Sequence, residues 1–149
     1  MIGDSMDSLI EKMKVVLADT FAMYLKAHNF HWNVEGNNFP QYHDFLGNLY
    51  EELHGAVDPI AEHIRALDAY APGSLSRFRE LSSIRDSMTP PPAMGMMLEL
   101  YSDNEIVMAS LKSAYQSAET MGEIGLSNFI QDRYDVHKKH AWMLRSITR

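Results

Sequence analysis

Positions 43, 47, 51, 54, 58 and 62 recur at spacings of four or three, and they read His43, Gly47, Glu51, His54, Asp58 and Glu62. On a helix those positions share one face, so the spacing lays imidazole and carboxylate groups in a row. Asp58 and Glu62 are one turn apart and their carboxylates can converge on one cation. Oxygen donors joined by an imidazole suit iron, whereas oxygen donors alone suit magnesium or calcium. A solvated acidic face accounts for the same spacing, because Asp and Glu four apart are common on exposed helices.

Further histidines come in pairs. His28 and His31 lie one turn apart and continue a stripe through Leu17, Phe21 and Tyr24; a histidine there is more often a hydrogen-bonded interior residue than a ligand. His137 and His140 are separated by Lys138 and Lys139, whose ammonium groups discourage a metal, and that pair is assigned to the surface or an interface. A di-iron centre housed inside one four-helix bundle needs two Glu-x-x-His motifs on separate helices. The chain has one, Glu51 with His54, so a site shared between chains is the arrangement left standing. With no cysteine, any metal must be held by His, Asp, Glu or backbone oxygen. The formal charge of −7 suits the collection of cations and argues against unaided binding to a phosphate backbone, which draws its affinity from Lys and Arg.

The elements that must position these residues are helical throughout. Leu9, Met13, Val16, Thr20, Met23, Ala27 and Phe30 place one apolar stripe on a helix from about Ser8 to His31. Tyr42, Leu46, Leu49, Leu53, Val57, Ile60, Ile64 and Leu67 place another from about Pro40 to Leu67, with a proline in its first turn. Pro59 falls inside that second helix, where the lost N–H and the clash with the carbonyl of Gly55 cost ~3 kcal/mol; the expectation is a kink rather than a stop. Prolines punctuate a long connection from Asp68 to Pro92, with a short helical piece around Leu75 to Ile84. Two more helices follow, from about Ala93 to Thr120 and from about Ser127 to Ile147. Four helices with one long middle connection is the ferritin-like bundle arrangement. The reading is therefore all-α: one domain over residues 1–149, a ferritin-like four-helix bundle with a short extra helix between helices two and three and an acidic N-terminal tail at 1–8. Apolar residues make up 46% of the 149, no run approaches the ~18 needed to cross a bilayer, and Met1 to Ser8 holds no readable leader, so a cytoplasmic location is expected.

The segment Lys26-Ala27-His28-Asn29-Phe30-His31-Trp32-Asn33-Val34, followed by Gly36 and Phe39, resembles the signature of the Dps family of mini-ferritins. The run Asp58-Pro59-Ile60-Ala61-Glu62-His63-Ile64-Arg65-Ala66-Leu67 is similar to that family's second-helix ending, and His137 to Arg145 to its last helix. The resemblance implies a shell of twelve identical subunits around a mineral cavity. It also implies that Fe²⁺ is oxidised to Fe³⁺ by hydrogen peroxide, or O₂, at two-fold interfaces. Its metal ligands fall on His31, His43, Asp58 and Glu62, with Trp32 beside the iron as an oxidisable ring or as interface packing. Geometry agrees with sharing: His43 and Asp58 are fifteen residues apart on one helix, roughly 22 Å at ~1.5 Å per residue, so one chain cannot bring both to one ion. A two-fold axis sets His31 and His43 of one chain opposite Asp58 and Glu62 of another.

Two departures bear on function. Where the family usually carries an Asp four residues after the second histidine, this chain has Gly47, which leaves the second iron position in doubt. Family members that condense DNA often use a lysine-rich terminus, but Met1 to Ser8 is short and acidic, so DNA binding is not expected at moderate salt. The alternatives are a DNA-protecting assembly with a weakened iron site, and a structural helical assembly whose polar stripe is an interface network. Glu123, Asp132 and Asp135 are candidates for an acidic entry pore, with solvent-facing charge as the other account.

Overall fold

The computed structural model describes residues 5–149 and contains helices α1 (Met6–Asn33), α2 (Phe39–Ala66), α3 (Leu75–Leu81), α4 (Ala93–Thr120) and α5 (Ile124–Ile147). Of the segment read as an acidic tail, residues 1–4 lie outside the described residues, and Met6 to Ser8 form the first turn of α1. That turn is capped by the Ser5 hydroxyl, which accepts a hydrogen bond from the Ser8 N–H, with Asp7 facing the positive end of the helix.

The long helices form two antiparallel pairs, α1 with α2 and α4 with α5, joined where α1 packs on α4. The stripes meet in one core containing Leu9, Met13, Met23 and Phe30 of α1, Leu46, Leu53, Ile60 and Ile64 of α2, Met97, Leu100 and Val107 of α4, and Ile130 and Leu144 of α5. Each such side chain contributes about 1.5–3 kcal/mol when fully buried. α2 continues through Pro59 as one helix, as expected. α5 begins three residues before the expected Ser127: Ile124 is 84% exposed and adds nothing to the apolar stripe, so periodicity misses the first turn.

The long crossover is held onto the bundle by a buried carboxylate. Asp19 of α1 accepts hydrogen bonds from the Ser82 hydroxyl (2.7 Å), the Ser83 N–H (3.1 Å) and the Ser110 hydroxyl (2.5 Å), tying the segment after α3 to both α1 and α4. Stacking of Phe78 on Phe21, with ring centres 4.7 Å apart, seats α3 against α1. Among the described residues, no helix is long and apolar enough to cross a membrane.

Candidate metal centre

The turn between α1 and α2 decides how the histidines meet. Val34 leaves the helix in extended conformation and Gly36 takes φ +114°, a region that side chains with a Cβ rarely adopt. The Phe39 N–H then donates to the Gly36 carbonyl, starting α2 antiparallel to α1. The end of the first helix and the start of the second lie side by side in consequence, and His31 and His43 stack with ring centres 3.8 Å apart and an interplanar angle of 17°.

Each ring is fixed by the other residue's backbone. His31 Nδ1 lies 2.8 Å from the His43 carbonyl oxygen, and His43 Nδ1 lies 2.8 Å from the His31 carbonyl oxygen. A carbonyl can only accept, so both Nδ1 atoms carry protons and donate. In a neutral ring that leaves Nε2 with the lone pair through which imidazole binds a metal, and the rings are already oriented. The sequence left the outer partner of these imidazoles unidentified; it is backbone, and it is reciprocal.

Gly47 has a steric part in this arrangement. A Cβ placed on it would lie 3.1 Å from Cε1 and 3.3 Å from Nδ1 of His31, tighter than ordinary contact. Alongside, His28 stacks face to face on Tyr50 with centres 3.8 Å apart at 7°, and its Nδ1 is 3.0 Å from the Tyr24 hydroxyl. Burial, followed by the neighbouring His31 and His54, lowers the His28 pKa and favours its neutral form. Trp32 is 62% exposed, with its ring 4.2 Å from that of His28, and Phe39 stacks over His43 at 5.1 Å. Aromatic surface thus borders the histidine pair on an open face of the chain.

Asp58 and Glu62 stand on the same face of α2 about four turns further on. Both are exposed, and no cation among the described residues pairs with them. Within a single chain the expected ligands therefore fall into two groups: the histidines meet each other, and the carboxylates do not reach them. Among the described residues, no three His, Asp or Glu side chains of one chain converge as a metal ion would require.

The pair His137 and His140 requires a correction. It is not on the surface: His137 is fully buried and His140 is 8% exposed. Helical phase explains it, since positions 126, 130, 133, 137, 140 and 144 form the buried stripe of α5, while Lys138 and Lys139 point outward. That stripe was the readable signal, and the intervening lysines obscured it. His137 Nδ1 is 2.7 Å from the Asn104 side-chain oxygen and its Nε2 accepts from Arg133 at 3.1 Å, so both ring nitrogens are occupied. Burial first, then the charges of Arg133 and His140, hold the His137 pKa well below the usual 6.5. Glu52 receives both guanidinium nitrogens of Arg133 and lies 2.8 Å from His140 Nε2. Burial opposes its charge, but hydrogen bonds from His140 and Arg133 outweigh that and bring its pKa down to about 2. The Arg133 guanidinium thus provides the positive charge between α2 and α5.

The fold and the pattern of residues define a class. A family model described as a ferritin-like domain matches residues 10–149. DNA protection during starvation protein 2 of Bacillus anthracis is 32% identical over 138 residues, covering 93% of this chain and 94% of that protein. General stress protein 20U of Bacillus subtilis is 26% identical and covers 94% and 97%. Among solved structures, a Dps protein from Bacillus brevis superposes with a TM-score of 0.93 at 26% identity over 100% of both chains. Dps from Staphylococcus aureus gives 0.94 at 27% over 99% of both. The chain belongs to the Dps family of the ferritin-like superfamily.

Proposed function

We propose that this protein is a ferroxidase and iron store. Twelve copies form a shell, and His31 and His43 of one subunit hold Fe²⁺ together with Asp58 and Glu62 of a two-fold-related neighbour. The observation that carries this reading is complementarity: the backbone-held imidazoles of His31 and His43, and the carboxylates of Asp58 and Glu62, which pair with no cation among the described residues, lie roughly 22 Å apart along α2 at ~1.5 Å per residue. Apposing that face with its own copy about a two-fold axis makes two whole sites from four half-sites. The names of the Bacillus anthracis and other relatives, which speak of DNA protection during starvation, support a protective role.

Fe²⁺ is the substrate. The carboxylates favour the higher charge of Fe³⁺, and neutral imidazole supplies nitrogen without adding positive charge. Hydrogen peroxide, as the two-electron oxidant, takes one electron from each of two ferrous ions; its O–O bond breaks, two protons are taken up and water leaves, so no hydroxyl radical is released. With Gly47 offering no oxygen donor, the second iron is a transient neighbour of a tighter first one. Trp32 at the rim packs the interface or supplies an oxidisable ring. Ferric product mineralises in the cavity, and Glu123, Asp132 and Asp135 are the proposed pore residues. The setting proposed is the cytoplasm, with residues 1–149 working as one domain.

Replacing His31→Ala and Asp58→Asn together slows peroxide-driven Fe²⁺ oxidation at least about 100-fold, about 2.7 kcal/mol of transition-state stabilisation, and leaves the shell assembled. An unchanged stopped-flow rate removes those residues from the mechanism. The DNA-protecting alternative is separated by a gel shift at moderate salt, where the charge of −7 predicts no retardation.

A further inference from the structure

We infer a second kind of metal site, on the two-fold axis itself, formed by Glu51 and His54 of both subunits and taking one divalent first-row cation per pair of subunits. It rests on the paired-subunit reading above and follows from what symmetry does to α2. If position 43 of one copy lies across from positions 58 and 62 of the other, the two α2 helices run antiparallel, and the stretch that meets its own copy is centred on residues 51 and 52. The residues of the polar stripe at that level are Glu51 and His54, the one Glu-x-x-His motif of the chain.

Observations in the single chain fit a half-site there. Glu51 and His54 are both exposed, one turn apart, and among the described residues neither has a hydrogen-bond or ion-pair partner. The His54 ring is steadied from α1 by Tyr24, 4.8 Å away between centres, whose hydroxyl is tied to His28 at 3.0 Å. Across the axis, the partner's His54 falls at the level of Gly47 and Glu51. Symmetry also brings the two Glu51 carboxylates together, a like-charge contact that needs neutralising in an interface shielded from water. A cation with two imidazole nitrogens and two carboxylate oxygens around it provides that neutralisation, and this donor set suits Zn²⁺, Co²⁺ or Fe²⁺ in four-coordinate geometry. The axial site lies about 12 Å along α2 from His43 at ~1.5 Å per residue, too far to share ligands with it.

The test is anaerobic titration of the assembled protein with Co²⁺, followed by calorimetry and by visible absorption of the bound ion. In the His31→Ala, Asp58→Asn protein the expected residue of binding is about one Co²⁺ per two subunits, and adding His54→Gln or Glu51→Gln abolishes it. His54→Gln alone lowers total Co²⁺ by the same half-equivalent and leaves peroxide-driven Fe²⁺ oxidation unchanged. An assembled His31→Ala, Asp58→Asn shell that binds no Co²⁺, or unchanged stoichiometry in both motif variants, overturns the axial site and leaves the His31 and Asp58 site standing. A wild-type protein that is monomeric and binds no metal overturns the paired-subunit reading, and this inference with it.

Discussion

Two groups of histidines in this chain face opposite fates. Within the bundle, His137 has both ring nitrogens engaged, by Asn104 and Arg133, and Glu52 is met by Arg133 and His140. On the open face of α1 and α2, His31 and His43 each hold one nitrogen against a backbone carbonyl, while Asp58 and Glu62 form no ion pair among the described residues. Among the described residues, His137 and Glu52 find their partners within one chain, though the Arg133 Nε has none, and the surface set does not. The same residue types therefore serve stability in one place and ligand capture in the other. What separates them is whether the chain itself satisfies the second nitrogen.

Substitutions should sort along that line. The largest expected effect is in the interior: Arg133→Met leaves Glu52 with His140 alone and strands the Nε2 of His137, lowering stability by about 3 kcal/mol and the thermal midpoint by about 10 °C, with Co²⁺ affinity of the open face unchanged. A variant as stable as the parent would mean that the Arg133 network is not holding the bundle. Next comes pH. His137 and Glu52 have folded pKa values below their unfolded ones, so the stability they provide is complete above the unfolded values and lost as pH falls. The loss begins near 6.5 with His137 and continues from about 4.5 towards 2 with Glu52. Urea midpoints measured from pH 8 to pH 3 should decline in that order, and His137→Gln should remove the upper step.

On the open face the effects run the other way, towards binding. Gly36→Val forces a branched side chain into φ +114° at a strain of about 1–3 kcal/mol, displaces His43 from His31 and weakens Co²⁺ binding about tenfold. Circular dichroism should still report a folded helical protein; undiminished affinity would show that the turn does not set the pair. The smallest effect is expected from Gly47→Ala, whose Cβ would crowd His31 at 3.1 Å. It should weaken metal binding a few-fold and alter stability by no more than about 0.5 kcal/mol; tighter binding would contradict the steric role given to Gly47.

The elements were legible because a stripe such as Leu46, Leu49, Leu53, Ile60 and Ile64 has one solution, a helix with that side inward. The polar row from His43 to Glu62 was legible for the same reason. What could not be read is what depends on two helices touching. The reciprocal bonds between His31 and His43 are made to backbone, which leaves no residue-type signal, and the stacking of His28 on Tyr50 joins residues on different helices. His137 and His140 were misplaced although their phase was available, because Lys138 and Lys139 weighed more than the period that carried them to the other side. The fate of Ile124 shows the converse: an exposed apolar residue beside Gly125 has no periodic partner to mark it as helical.

The central claim is that each site takes nitrogen from one subunit and oxygen from another, and subunit mixing tests it most directly. One inactive variant carries His31→Ala and His43→Ala, the other Asp58→Asn and Glu62→Gln; each is dissociated, and the two are reassembled together in equal amounts. Mixed pairs then hold one intact site and one doubly defective site, so random assembly predicts recovery of about a quarter of wild-type Fe²⁺ oxidation from two inactive parents. Shells shown by native mass spectrometry to contain both variants, yet no more active than either parent, would contradict it.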